Sequence, residues 1–186
     1  MKTSLMTILF LFGLLPLKYM GTNESDHPTV NSKYPTPQIT GKLLFYVQRT
    51  HNMNTVIYEL NFKTDGKLDK KEPLHALWIR YEEGGVRKEL TFIQNRVYGL
   101  DVHMLENETY LIHFKSMKQR AIYLMQIGKD NQYKAMISIN GKMAELTSLF
   151  ICSVTNSLGI PSSVEYININ GIDHITGNIV NERVIP

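Results

Sequence analysis

QYKAMISINGKMAELTSLFICSV, residues 132–154, decides the fold class. It divides at Asn140-Gly141 into two β-type runs, Gln132–Ile139 and Lys142–Val154. Asn-Gly supplies the pair of φ > 0 residues that a two-residue type I′ hairpin requires, so the runs are expected to fold back on each other. The same pattern continues upstream. Leu43, Phe45 and Val47 alternate with Leu44, Tyr46 and Gln48, and Val56, Tyr58, Leu60 and Phe62 alternate with Ile57, Glu59, Asn61 and Lys63. Leu74–Glu82 (LHALWIRYE) is apolar on both alternating faces, the pattern of a strand covered on both sides, and it should bury Trp78. Further strands are expected at Tyr98–Met104, Thr109–Lys115, Gln119–Ile127, Val164–Ile169 and Ile179–Val184.

Turn signals separate these runs. Asp65-Gly66 marks a turn, Glu106–Glu108 and Gly128–Asn131 read as longer hairpin loops, and Asn170-Gly171 repeats the type I′ signal. Glu82-Glu83 with Gly84-Gly85 reads as a solvated hairpin end, since adjacent carboxylates on a strand point to opposite faces. One segment departs from period 2: within Glu89–Tyr98, Leu90, Ile93 and Val97 fall at helical spacing, with Gly99 as a stop. Strands joined by tight turns pair antiparallel, because parallel pairing needs a long crossover. The expected class is all-β and mainly antiparallel: an up-and-down barrel or a two-sheet sandwich of about 8–10 strands with one short helix.

The N-terminus reads differently. Lys2 precedes an apolar run, Leu5–Leu15, that ends before Pro16. It has the length of a secretory h-region and falls short of the roughly 20 residues that cross a bilayer as a helix. Residues 1–21 are therefore expected to be a signal peptide or an uncleaved N-terminal anchor, and the protein periplasmic or extracellular. Residues 22–40, polar with three prolines, read as a linker before a single β domain over 41–186. The formal net charge of +3 falls to +1 once Lys2 and Lys18 are set aside. A domain so near neutrality carries no electrostatic footprint for nucleic acid.

Motifs for chemistry are sparse. Cys152, the one cysteine, lies in an apolar strand where a thiol is usually a small buried hydrophobe, and no G-x-S-x-G elbow or P-loop occurs. The six histidines are spread singly. Asp101 and His103 share a strand face at i, i+2, which makes them the seed for a metal site or for a hydrolase acting on an envelope polymer. The strand tyrosines, Tyr58 among them, could line an amphipathic cavity if the fold closes as a barrel. The loop Arg49–Thr55 would give that cavity a polar mouth, with Arg49 toward an anionic group beside His51 and Asn52. The preferred reading is a non-enzymatic binding module, without cofactor, for a small amphipathic ligand or an envelope partner.

Several stretches together carry a resemblance. They are Leu44–Arg49 with Asn52 and Asn54, Val56–Asn61, Gly66-Lys-Leu with Pro73 and Trp78-Ile79, Leu90–Gln94 with Tyr98-Gly99, and Val164-Glu-Tyr-Ile with Gly171. The sequence resembles a domain-of-unknown-function family of exported bacterial proteins, met in Bacteroidetes-type genomes, over Gly41 to Pro186. The resemblance implies export and a single compact domain, and it brings no site residue with it.

Overall fold

A computed structural model describes residues 34–37, 42–128, 132–156 and 161–186. The first four strands, β1 (Leu43–Arg49), β2 (Asn52–Leu60), β3 (Leu74–Arg80) and β4 (Val86–Glu89), form an antiparallel meander. After the helix α1 (Phe92–Tyr98), a second meander follows: β5 (Leu100–Met104), β6 (Tyr110–Phe114), β7 (Met117–Ile127) and β8 (Gln132–Ile139). The chain closes with β9 (Lys142–Thr155), β10 (Pro161–Asp173) and β11 (Ile179–Val184), paired antiparallel in that order.

β9 joins the two meanders. Its first residues, Lys142–Glu145, pair with β8, and Ser148–Ile151 then pair with β1. β10 runs along its opposite edge from Ala144 to Thr155. Both meanders therefore hang from one long strand, and the mixed sheet curls into a half-barrel whose unjoined ends are β4 and β5. Curling brings the two inner faces together. Phe45 of β1 stacks on Tyr58 of β2 with ring centroids 4.5 Å apart. Phe114 of β6 meets both edge-on, at 6.2 and 5.6 Å. Around them Ile112, Ile122, Leu124, Ile139, Leu146 and Ile169 have no solvent exposure. Trp78 is buried, as the two-sided apolar pattern of its strand predicts, and lies edge-on against Tyr98 at 5.7 Å.

The Asn140-Gly141 turn forms as expected, with both residues at positive φ. Asn170-Gly171 does not turn: both residues lie inside β10, opposite Ser148 and Leu146 of β9, at a register shift. A Cβ on Gly171 would come within 2.6 Å of the Glu145 carbonyl oxygen, so this glycine permits a close backbone approach at a bulge. The actual β10–β11 turn follows Asp173, whose carboxylate accepts from the backbone N–H groups of Ile175 and Thr176. The pairing is mainly antiparallel, as expected, and among the described strands β1 and β9 are the one parallel pair. The tight-turn argument governs neighbours in sequence, and these two strands are joined through both meanders.

The helix starts later than its apolar spacing suggests, at a capping box in which Thr91 and Gln94 satisfy each other's backbone N–H groups. Ile93 and Val97 lie on the surface, and α1 anchors itself through Tyr98. Cys152 is half-buried, with its thiol donating to Glu165 at 3.5 Å. The signal and anchor reading of residues 1–21 lies outside the described residues, as does most of the linker. Within that linker Tyr34 is buried edge-on against Phe150, and Gln48 donates to the Pro35 carbonyl. Among the described residues no helix is long and apolar enough to cross a membrane.

β11 is tied to the β7–β8 side by Glu182, which accepts from the Arg120 guanidinium and, at 2.9 Å, from the backbone N–H of Asn140. Arg120 first, and the Asn140 N–H with it, hold the Glu182 carboxyl below its ordinary value near 4.5. A depressed carboxylate stabilises the fold fully above its unfolded value and loses that contribution as pH falls through the folded one. Wild type should exceed Glu182→Gln by about 1 kcal/mol near neutral pH, and urea melts should converge as pH falls through the lowered carboxyl value. A difference independent of pH would contradict this role.

Candidate functional site

The unjoined ends of the half-barrel bound a concavity. β4 is four residues long and exposed throughout, and it pairs only with Leu77–Arg80 of the seven-residue β3. The chain then leaves the sheet at Leu90 to begin α1, so Leu74, His75 and Ala76 have no strand partner on that edge. Facing them, β5 pairs with β6 on one side only. Between the two edges lies a groove of about 330 Å³.

Its walls follow from strand alternation. The Asn61 N–H donates to the Pro73 carbonyl and the Gly85 N–H to that of Arg80, each at 2.9 Å. Odd-numbered residues of β3 therefore direct their peptide groups toward β2, and Leu74 and Ala76 direct theirs outward. On β5 the bonds Lys115 N–H to Gly99 and Leu105 N–H to Thr109 set the opposite edge, leaving the peptide groups of Leu100, Val102 and Met104 outward. The side chains of Leu74, Ala76, Leu100 and Val102 meanwhile pack toward the core and floor the groove. At the rim His75 and Glu89 are paired at 2.8 Å. Lys71, Lys115 and Glu72 also line it, and none of the three forms an ion pair among the described residues. Across the rim two lysines, Lys71 and Lys115, thus stand against two carboxylates, Glu72 and Glu89.

The residues singled out in the sequence lie elsewhere. Arg49, at the end of β1, sits over Trp78 and Tyr98 with its guanidinium carbon 5.0 and 5.8 Å from the ring centres, and donates to the Tyr98 hydroxyl at 2.8 Å. Cation–π contact and this hydrogen bond hold it, with no carboxylate paired to it among the described residues. The neighbouring void, between Val47, Phe114, Leu149 and Ile167, has a volume of about 40 Å³, close to the liquid-phase share of one water molecule. His51 adopts φ 65° in the β1–β2 turn, with Nε2 3.1 Å from the Ser153 carbonyl. Asn52 accepts the Asn54 N–H at 2.7 Å, an Asx turn. Tyr58 shares a partner with Arg49, since both bond to Tyr98. It is fully buried, its hydroxyl donates to the Tyr98 carbonyl at 2.7 Å, and burial raises its pKa well above the usual phenol value.

Asp101 and His103 alternate along β5 with Leu100 and Val102, so they occupy the face away from the groove. Asp101 has Lys118 at 3.6 Å, and His103 is exposed. Among the described residues no three His, Cys, Asp or Glu side chains converge as a metal site would need. The groove residues carry little local signal. One clue was available: Gly85 and the Thr91 cap bound a stretch too short to cover all of Leu74–Arg80.

The family model for DUF4833, a domain of unknown function, matches residues 45–183, nearly the whole β domain. No curated protein and no solved structure matches the chain.

Proposed function

This chain belongs to the DUF4833 family, and from that premise we propose that it is a non-enzymatic binding module of the cell envelope whose site is the groove between β3 and β5. The observation that carries the reading is the 330 Å³ groove itself, with an apolar floor, outward peptide groups on two strands and a charged rim. Binding sites commonly combine an apolar surface with a few fixed polar groups. The apolar Leu5–Leu15 run supports the reading of an exported domain.

Ala76 is half-buried at the groove floor, so Ala76→Trp should fill the groove while leaving the aromatic cluster around Tyr58 in place. Native mass spectrometry of protein isolated from the envelope of its own host should give wild type with an added bound mass, lost in Ala76→Trp. Wild type that emerges at its own mass alone overturns the reading. So does a bound mass that Ala76→Trp retains, and so does protein recovered wholly from the cytoplasm.

A further inference from the structure

We infer that residues 61–73, the loop between β2 and β3, are a lid on the groove, latched across the open seam by Lys70 and Glu108. The inference rests on the binding-module reading and supplies its regulation. The loop is one body. The Asn61 N–H donates to the Pro73 carbonyl at 2.9 Å, its side-chain amide donates to the Glu72 carbonyl at 2.9 Å, and its own carbonyl accepts from the Asp69 N–H at 2.8 Å. Phe62 also bridges to Leu68. A loop so cross-linked moves about the last ladder pair, Leu60 and Leu74, and not by unravelling. Lys71 and Glu72 travel with it, and both line the groove, so its position sets the groove's width.

The latch joins the two meanders where the sheet does not. Lys70 Nζ meets Glu108 Oε1 at 2.7 Å, and among the described residues no other hydrogen bond or ion pair links the loop to β5, β6 or their turn. Glu108 has a left-handed backbone, φ 56°, directly after Asn107 at φ 54°. Two successive positive φ angles make the centre of a type I′ turn, whose second position glycine fills best. Glutamate there costs backbone energy, and what it brings is the carboxylate that holds Lys70.

Beside the latch lies a group that closure leaves unserved. Tyr110 is 1% exposed, and its hydroxyl has no hydrogen-bond partner among the described residues. Burial first, and then the charge of Glu108, push this phenol up, with Lys70 and Asp69 also in electrostatic reach, so the hydroxyl lies by both the lid and the turn. Leu68 packs on the core and favours closure. Against it stand a buried, unbonded hydroxyl, which is costly, and a latch exposed enough for water and salt to screen. The closed lid is therefore held by little. Opening widens the groove and gives it a phenol donor that it lacks when shut.

The test uses the full chain, labelled with 15N, carrying a nitroxide at Glu106→Cys, with Cys152→Ser removing the native thiol. In the closed lid the nitroxide should broaden the amide signals of residues 69–72. Lys70→Met should raise the open fraction about threefold, read as recovered signal. Raising salt from about 0.05 to 1 M should act the same way on the unaltered lid and change Lys70→Met little. Tyr110→Phe removes the unbonded hydroxyl and keeps the ring, so it should deepen the broadening.

Broadening that is the same in all three chains and at both salt concentrations overturns the lid. So does a Tyr110→Phe lid that opens further than the unaltered one. An invariant lid on protein that carries a bound mass in the groove overturns the lid alone and leaves the binding module standing. A lid that responds as expected on protein isolated from its host without a bound mass sinks the binding module, and with it the lid's part as a gate.

Discussion

Trp78→Ala should leave the domain marginal or unfolded. Trp78 is 4% exposed, lies edge-on against Tyr98 and carries the Arg49 guanidinium over its ring. Truncating a buried aromatic of this size costs about 3–5 kcal/mol, against a total stability on the order of 5–15 kcal/mol. Arg49 also loses the larger of its two aromatic supports, which adds to the damage at the end of β1. Because Trp78 is the only tryptophan, its fluorescence reports the site directly. Wild type should emit at short wavelength and resist quenching by iodide. Urea melts followed by circular dichroism should show a large loss for Trp78→Ala and a smaller one for Trp78→Phe, which keeps a ring against Tyr98. A melt unchanged in Trp78→Ala would show that the ring does not support the core.

Gly171→Ala should cost about 1–3 kcal/mol, the usual range for forcing extra volume into a packed interior. The new methyl would sit 2.6 Å from the Glu145 carbonyl oxygen and 2.8 Å from Cδ1 of Ile139. The isoleucine can rotate, but the carbonyl belongs to β9 and cannot retreat without disturbing the β9–β10 ladder. Gly141 offers the control. Its φ is +76° and nothing lies within 4 Å of a Cβ placed there, so its requirement is conformational and not steric. Asparagine tolerates the left-handed region, so Gly141→Asn should melt above Gly141→Ala. At Gly171 the order should reverse, because the larger side chain meets the same carbonyl. Equal melts for the two variants at Gly171 would refute the close-approach account.

These two glycines mark how far local sequence reaches. Both follow asparagine and both lie between apolar β runs, yet one makes a turn and the other sits inside a strand. What separates them is the backbone of β9 passing close to Gly171, a contact made by a different part of the chain. Alternation, by contrast, is local. It located β1, β8 and β11, since a strand's two faces are written every second residue, and a run apolar on both faces gave the burial of Trp78. Val86–Glu89 escaped because it is exposed on both faces and therefore has no alternation. That omission concealed the groove, which exists because β4 ends early and because β5 lies across from β3. Arg49 was legible as an unusual polar residue between apolar strands. Its partners Trp78 and Tyr98 were not, because they arrive from β3 and α1.

The parallel contact between β1 and β9 sets an order of events for the chain during its synthesis. Thr50 bonds to Ser153, 103 residues later, so the first strand has no neighbour on that side until nearly the whole sequence is available. Each meander can zip locally, but joining them requires closing a very long loop, and such contacts form slowly. Until β9 arrives, the nascent molecule is two hairpin stacks with their apolar inner faces bare, the kind of intermediate that aggregates or recruits a chaperone. A chain that stops short of Lys142 would remain in that condition permanently. Losing the last quarter of the sequence would therefore cost far more than three strands, because it removes the strand to which both meanders pair.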